Sequence, residues 1–123
     1  MTPLNDYTIS PHFKLSEFEC RCCRRVMLSS RLVPMLEELR GVLGRPLVIT
    51  SGYRCDRHNA AVGGSKRSLH LIGRAADILY RPAALSPREI ELELMKVKQI
   101  STKIGLYEFL PNLHNNYIHF SCK

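Results

Sequence analysis

The chain contains no tryptophan, and aromatic residues make up only 7% of its 123 positions. None of the few aromatics interleaves with the basic residues around Arg21–Arg25 and Lys66–Arg67. The stacking platforms that single-stranded nucleic acid requires are therefore missing, and no specific nucleic-acid partner is expected. No apolar run approaches the ~20 residues of a membrane span. The opening Met1-Thr-Pro-Leu-Asn-Asp6 lacks the basic-then-apolar layout of a secretory signal, so accumulation in the cytoplasm of the producing cell is expected. Repeats, low-complexity tracts and linkers are also absent. Acidic residues are scarce, 11 against 18 lysines and arginines, and the formal net charge is +7. Such a balance favours polyanionic surroundings, among them a cell wall rich in carboxylates and phosphates.

The length suits one domain with one core, spanning 1–123, and a monomer is the default for a chain of this size. Hydrophobic content of 45% and charged content of 24% are those of an ordinary globular protein. The five cysteines, Cys20, Cys22, Cys23, Cys55 and Cys122, form an odd set, so at least one is unpaired within a monomer. A structural zinc site ordinarily draws on separated C-x2-C pairs, whereas here three thiols crowd into four residues. Reduced thiols beside a turn are one reading. A second metal site, joining Cys20, Cys22 or Cys23 to Cys55 or Cys122, is the other.

Along the chain, residues 1–12 read as an extended lead-in, with Pro3 and Pro11 discouraging helix. Ser16 is a plausible N-cap for a helical turn in Lys14–Glu19. Leu32, Met35, Leu36, Leu39 and Leu43 fall at helical spacing, which predicts an amphipathic helix over Ser30–Leu43 ended by Gly44 and Pro46. Leu47–Thr50 reads as a first core strand, Asp56–Val62 as a short helix stopped by Gly63-Gly64, and Ala75–Tyr80 as a second strand. Ser86-Pro-Arg-Glu89 is a capping box with proline at the first helical position. Ile104–Phe109 and Tyr117–Cys122 read as short strands joined by a Pro111–Asn116 loop. This order predicts an α+β fold, a small mostly antiparallel sheet packed with helices.

The chemistry concentrates in Ser68-Leu-His70-Leu-Ile-Gly-Arg-Ala-Ala-Asp77 and in Ile118-His119-Phe120. Two imidazoles and a carboxylate suit a zinc ion that keeps one position open for water. Gly73 lets the chain turn between His70 and Asp77. Arg54, at the end of Leu47-Val-Ile-Thr-Ser-Gly-Tyr-Arg54, stands where it could meet an anionic substrate.

Several separated blocks, in order, resemble the zinc D,D- and L,D-peptidases of the M15 class, which share a fold with the hedgehog signalling domain. They are Ser51-Gly-Tyr-Arg54, His58-Asn-Ala-Ala-Val-Gly-Gly-Ser65, Ser68-Leu-His70 through Asp77, and Ile118-His119, with a looser match in Phe13-Lys-Leu-Ser-Glu-Phe18. The resemblance implies zinc on His70, Asp77 and His119, substrate binding by Arg54 and Ser68, and loop ordering from the His58 block. It implies a peptidoglycan peptide as substrate, cut near D-amino acids by a D-alanyl-D-alanine carboxypeptidase or an endopeptidase. A phage lysis enzyme or virion component, reaching the wall after release from the host cytoplasm, fits the size and charge.

The general base departs from that pattern. The carboxypeptidase branch carries a glutamate three residues before the last histidine, where this chain has Asn116. Many phage and bacterial relatives carry an aspartate two residues after it, where this chain has Ser121. Neither an amide nor a hydroxyl can take a proton as a carboxylate does. Ile104-Gly-Leu-Tyr-Glu108 is similar to the hedgehog segment whose glutamate precedes the zinc histidine. Glu108, His114 or no base at all therefore remain open, and a catalytically inactive zinc-binding recognition module of the same fold is the alternative.

Overall fold

The computed structural model describes residues 4–123. Two short strands, β1 (Thr8–Ser10) and β2 (Phe13–Lys14), pair antiparallel and lead into a 3-10 turn, Leu15–Phe18. Helix α1 (Leu32–Leu43), strand β3 (Ile49–Ser51) and the short helix α2 (Asp56–Ala61) follow. A second 3-10 turn, Leu69–Ile72, precedes β4 (Ala75–Leu79). Helix α3 (Pro87–Ile104), β5 (Glu108–Asn112) and β6 (Tyr117–Ser121) complete the chain. The main sheet runs β3-β4-β6-β5 with every neighbouring pair antiparallel. This is the α+β architecture expected from the sequence.

Strand alternation divides the sheet into two faces. Ala76 and Ile78 of β4, Phe109 of β5, and Ile118 and Phe120 of β6 point into one core with Leu32, Leu36 and Leu39 of α1 and Val97 of α3. The intervening residues Asp77, Glu108 and His119 stand on the opposite face. Burying the aliphatic stripe of α1 against this sheet contributes roughly 1.5–3 kcal/mol for each fully covered leucine. At the head of α3, Ser86 Oγ accepts the Glu89 N–H and Glu89 Oε1 accepts the Ser86 N–H, each at 3.2 Å, so two of the helix's orphan donors are satisfied.

The structure corrects several boundaries. Within the expected lead-in, Thr8–Ser10 forms a strand, because Phe13 is buried and draws the hairpin onto the core; Pro3 lies outside the described residues. The cap of the first 3-10 turn is Lys14, whose N–H is accepted by Glu17 Oε2 at 2.6 Å, and not Ser16. The first core strand begins at Ile49, with Val48 exposed. Ile104 ends α3 instead of opening a strand, since the amphipathic pattern carries the helix through to Gly105. Pro111 lies within β5, an edge strand that tolerates a residue without an N–H. The loop between β5 and β6 therefore shrinks to Leu113–Asn116.

Gly73 closes the second 3-10 turn at φ +70°, and a Cβ there would lie 2.1 Å from the Met27 carbonyl oxygen. Gly41, inside α1, has nothing within 4 Å of a Cβ. Gly73→Ala should lower stability by about 1–3 kcal/mol in urea unfolding, while Gly41→Ala should raise it by about 0.5–1 kcal/mol.

Candidate metal centre

Three chain segments deliver the candidate ligands. Asp77 of β4 lies directly across from His119 of β6, and both point away from the core because their neighbours Ala76, Ile78, Ile118 and Phe120 point into it. His70 comes from the Leu69–Ile72 turn, where Ser68 Oγ accepts the His70 N–H at 3.2 Å. Gly73 then turns the chain back into β4. His70 Nε2 lies 3.1 Å and His119 Nδ1 2.9 Å from the same Asp77 Oδ1. The two rings meet edge-on with centroids 5.1 Å apart.

The tautomers follow from the partners. The Gly52 carbonyl oxygen can only accept, so at 2.6 Å it takes the N–H of His70 Nδ1. In the neutral ring, His70 Nε2 then presents a lone pair to a carboxylate oxygen. His119 is arranged alike: Nε2–H donates to Glu108 Oε1 at 2.9 Å, which leaves Nδ1 facing Asp77. Acceptors aimed at one another at this range need either protons or a metal cation between them. A divalent ion held by His70 Nε2, Asp77 and His119 Nδ1 would satisfy all three groups together, whereas protons must satisfy each pair separately. An N,N,O set of this kind, with a backbone carbonyl and a carboxylate fixing the imidazoles from behind, fits zinc.

In the metal-free chain the ionisation states reflect the same convergence. Burial pushes the Asp77 carboxyl upward, yet its hydrogen bonds with His119 and His70 hold the pKa down at about 2. Burial pushes His119 downward, and Asp77 and Glu108 outweigh it and raise its pKa.

Arg54 secures the other carboxylate oxygen. Its Nη2 donates to Asp77 Oδ2, its Nε to Ser51 Oγ and its Nη1 to Asn59 Oδ1, each at 3.2 Å. Asn59, 4% exposed, is anchored in turn by donating Nδ2–H to the Ser65 carbonyl at 2.9 Å. A Cβ on Gly64 would lie 2.1 Å from Asn59 Oδ1 and 2.9 Å from Arg54 Nη1, so this seat requires glycine. The guanidinium keeps one N–H on each terminal nitrogen uncommitted.

These groups line a pocket of about 350 Å³ whose walls include Arg54, Ser68, His70, Asp77, Glu108 and His119. A hollow of about 400 Å³ beside Leu39, Tyr80 and Val97 contains none of them. Six of the seven side chains expected at the site, His70, Asp77, His119, Arg54, Ser68 and Glu108, thus line one pocket; His114 does not. It is exposed on the Leu113–Asn116 turn and is not among the residues that line the pocket. Asn116 belongs to the same turn, at φ +59°. Ser121 is fully buried. Asn59, inside the block expected to order a loop, and the Gly52 carbonyl are site groups that residue type alone does not reveal. An asparagine between Arg54 and the Gly63-Gly64 pair was the available signal for the first. A carbonyl leaves no trace in residue identity.

A sequence model of the peptidase M15 family matches residues 11–121. The chain belongs to the M15 peptidase family. No curated protein matches it at a significant level. Membership makes it a metallopeptidase by kinship, with a peptide as the kind of substrate implied, in a family that is generally zinc-dependent. His70, Asp77 and His119 are candidate metal-binding groups suited to that family, their ligand atoms all within 4.8 Å of one another.

If Arg54 orients Asp77 as an outer partner of the metal, Arg54→Lys should weaken zinc binding by about 10–100-fold, because an ammonium cannot hold Ser51, Asn59 and Asp77 at once. Competition against a chromophoric chelator measures this; unchanged affinity would show that Asp77 needs no such support.

Proposed function

We propose that the chain is a zinc peptidase that hydrolyses peptidoglycan stem or cross-link peptides near D-amino acids, as a D-alanyl-D-alanine carboxypeptidase or an endopeptidase. The observation that carries this reading is the His70–Asp77–His119 donor set on the wall of an open pocket that also presents Arg54 and Glu108. Zinc held by the three ligands would supply a Lewis acid that acidifies water and polarises the scissile carbonyl.

The chain's own residues would do the rest. Gly52 and Glu108 set the imidazoles, and Arg54 sets Asp77. The two uncommitted N–H groups of Arg54, with Arg67 nearby on the pocket wall, suit an anionic substrate group such as a peptide carboxylate. Burial pushes Glu108 upward, but its bond from His119 holds the pKa below the usual carboxylate range. It is therefore ionised at neutral pH and able to accept a proton, then return it to the departing amine. We assign Ser68 to substrate binding at the rim, beyond its bond to the His70 amide. The proposal extends to setting: a single-domain monomer, a phage lysis enzyme or virion component, made in the host cytoplasm and acting on the wall after release, to whose anionic polymers the net charge of +7 is suited.

One observation favours a second reading. Glu108 Oε1 is already bonded to His119 Nε2, and a carboxylate used only to orient a ligand would serve a zinc-binding recognition module equally well. The readings separate on purified sacculi. Zinc-loaded protein should release peptides with new termini, identified by mass spectrometry, and His70→Ala should release none. Glu108→Gln should retain zinc and lose about 10²–10⁴-fold in kcat, while His114→Ala should stay within about twofold of the parent. Intact sacculi with one pocket zinc still bound would assign the chain to the recognition class.

A further inference from the structure

A second group of ligands lies outside the pocket. Cys20, Cys22 and Cys23 sit in a tight loop closed by the Cys20 N–H to the Arg25 carbonyl at 2.7 Å and by the Arg24 N–H to the Cys20 carbonyl at 2.8 Å. Arg24, at φ +63°, folds that loop back on itself. Cys55 arrives from the other side, at the start of α2 and directly after Arg54. The sulfurs of Cys20, Cys22 and Cys55 form a nearly regular triangle with edges of 3.6, 3.7 and 3.4 Å, and Cys23 Sγ completes a set within 4.8 Å.

These spacings have a specific meaning. A disulfide would bring two sulfurs to about 2.05 Å and leave the others outside the bond. Zinc–sulfur bonds of about 2.3 Å in a tetrahedron place the sulfurs about 3.8 Å apart. The observed edges exclude the disulfide and lie within a few tenths of an ångström of the second arrangement, with the fourth sulfur inside 4.8 Å. Backbone amides also point at the sulfurs, Cys55 N–H at Cys20 Sγ (3.5 Å) and His58 N–H at Cys55 Sγ (3.4 Å), as thiolates prefer. The loop is basic, with Arg21, Arg24 and Arg25, a positive charge that offsets part of the charge of a four-thiolate site. Cys22 and Cys23 are exposed and give an ion a way in, whereas Cys20 is buried. Cys122 lies in the hydrophobic core and takes no part. Cys20 and Cys23 are themselves a C-x2-C pair, the spacing that the crowding of three thiols conceals.

We propose that Cys20, Cys22, Cys23 and Cys55 bind a second zinc ion in a tetrahedral, all-thiolate structural site. The site fastens the N-terminal segment to the loop that carries Arg54. It stands beside the closest approach of those two segments, where the Tyr53 N–H donates to the Phe18 carbonyl at 2.8 Å. Its role is positioning: a fixed Cys55 fixes Arg54, and through it Asp77. The inference is independent of the peptidase reading, since it concerns different ligands.

The test is metal stoichiometry on the reduced full chain. The parent should carry about two zinc ions and His70→Ala about one, while a Cys22→Ser/Cys23→Ser variant should lose the thiolate-bound ion. Cobalt titration separates the sites by spectrum. The cysteine site should give a thiolate-to-cobalt charge-transfer band and intense tetrahedral bands that persist in His70→Ala. Should the double variant fail to fold, the parent still decides: zinc should slow modification of Cys22 and Cys23 by a thiol reagent at least about tenfold. One zinc in the parent that disappears with His70→Ala, no thiolate band and unprotected thiols would overturn the proposal. Loss of wall cleavage with both ions retained would overturn only the peptidase reading.

Discussion

One carboxylate organises this molecule. Asp77 Oδ1 faces both candidate ligand histidines and Oδ2 takes the Arg54 guanidinium, so three distant segments meet on a single buried side chain. Taking a carboxylate out of water costs on the order of several kcal/mol unless its lone pairs are fully engaged. Here a guanidinium engages one oxygen, and two imidazoles, through protons or a shared metal ion, engage the other. The low pKa of the group states the same balance, because partners that stabilise the charged form have outweighed burial. Removing any one partner leaves a buried charge partly uncompensated, so fold and site cannot be varied separately at this position.

The sheet makes such a meeting possible with few residues. Because side chains alternate along a strand, the same run Ala75–Leu79 supplies core packing through Ala76 and Ile78 and a ligand through Asp77. The run Tyr117–Ser121 does the same with Ile118, Phe120 and His119. The antiparallel register sets Asp77 opposite His119. A slip of one residue would bury both polar groups in the core and expose the apolar ones, so hydrophobic burial enforces the ligand geometry.

Much of this was legible because residue type carries the relevant chemistry. Ala75–Tyr80 and Tyr117–Cys122 were legible as short strands, the 3.6 period marked α1, and the Ser-Pro-x-Glu box marked the start of α3. The His70, Asp77, His119 and Arg54 positions announced themselves by identity and order, and the geometry brings them together. What escaped the sequence was decided by tertiary context. The first strands form because Phe13 is buried under later elements, a fact no local window contains. Pro111 is tolerated in β5 because that strand ends up at the sheet edge. His114 looked eligible by proximity to His119, but it sits exposed on a turn and does not line the pocket. Asn59 and the Gly52 carbonyl matter only through where Arg54 and His70 come to rest.

The five residues Ser51–Cys55 show how densely the constraints are layered. Ser51 pairs with Asp77 across the sheet and accepts from Arg54 Nε. Gly52 offers its carbonyl to His70, and Tyr53 donates its N–H to Phe18. Arg54 holds Asp77, and Cys55 joins the thiol cluster. A short segment with this many fixed partners has little freedom to relax, and a displacement at one end is felt at the other. In a chain of 123 residues, a core alone supplies modest rigidity. A structural ion on Cys55 would add restraint three residues beyond the buried Gly52 and next to the residue whose orientation the site depends on. In that arrangement the thiol cluster stabilises the geometry of a pocket it does not touch, and the backbone between Gly52 and Cys55 is the element that couples them.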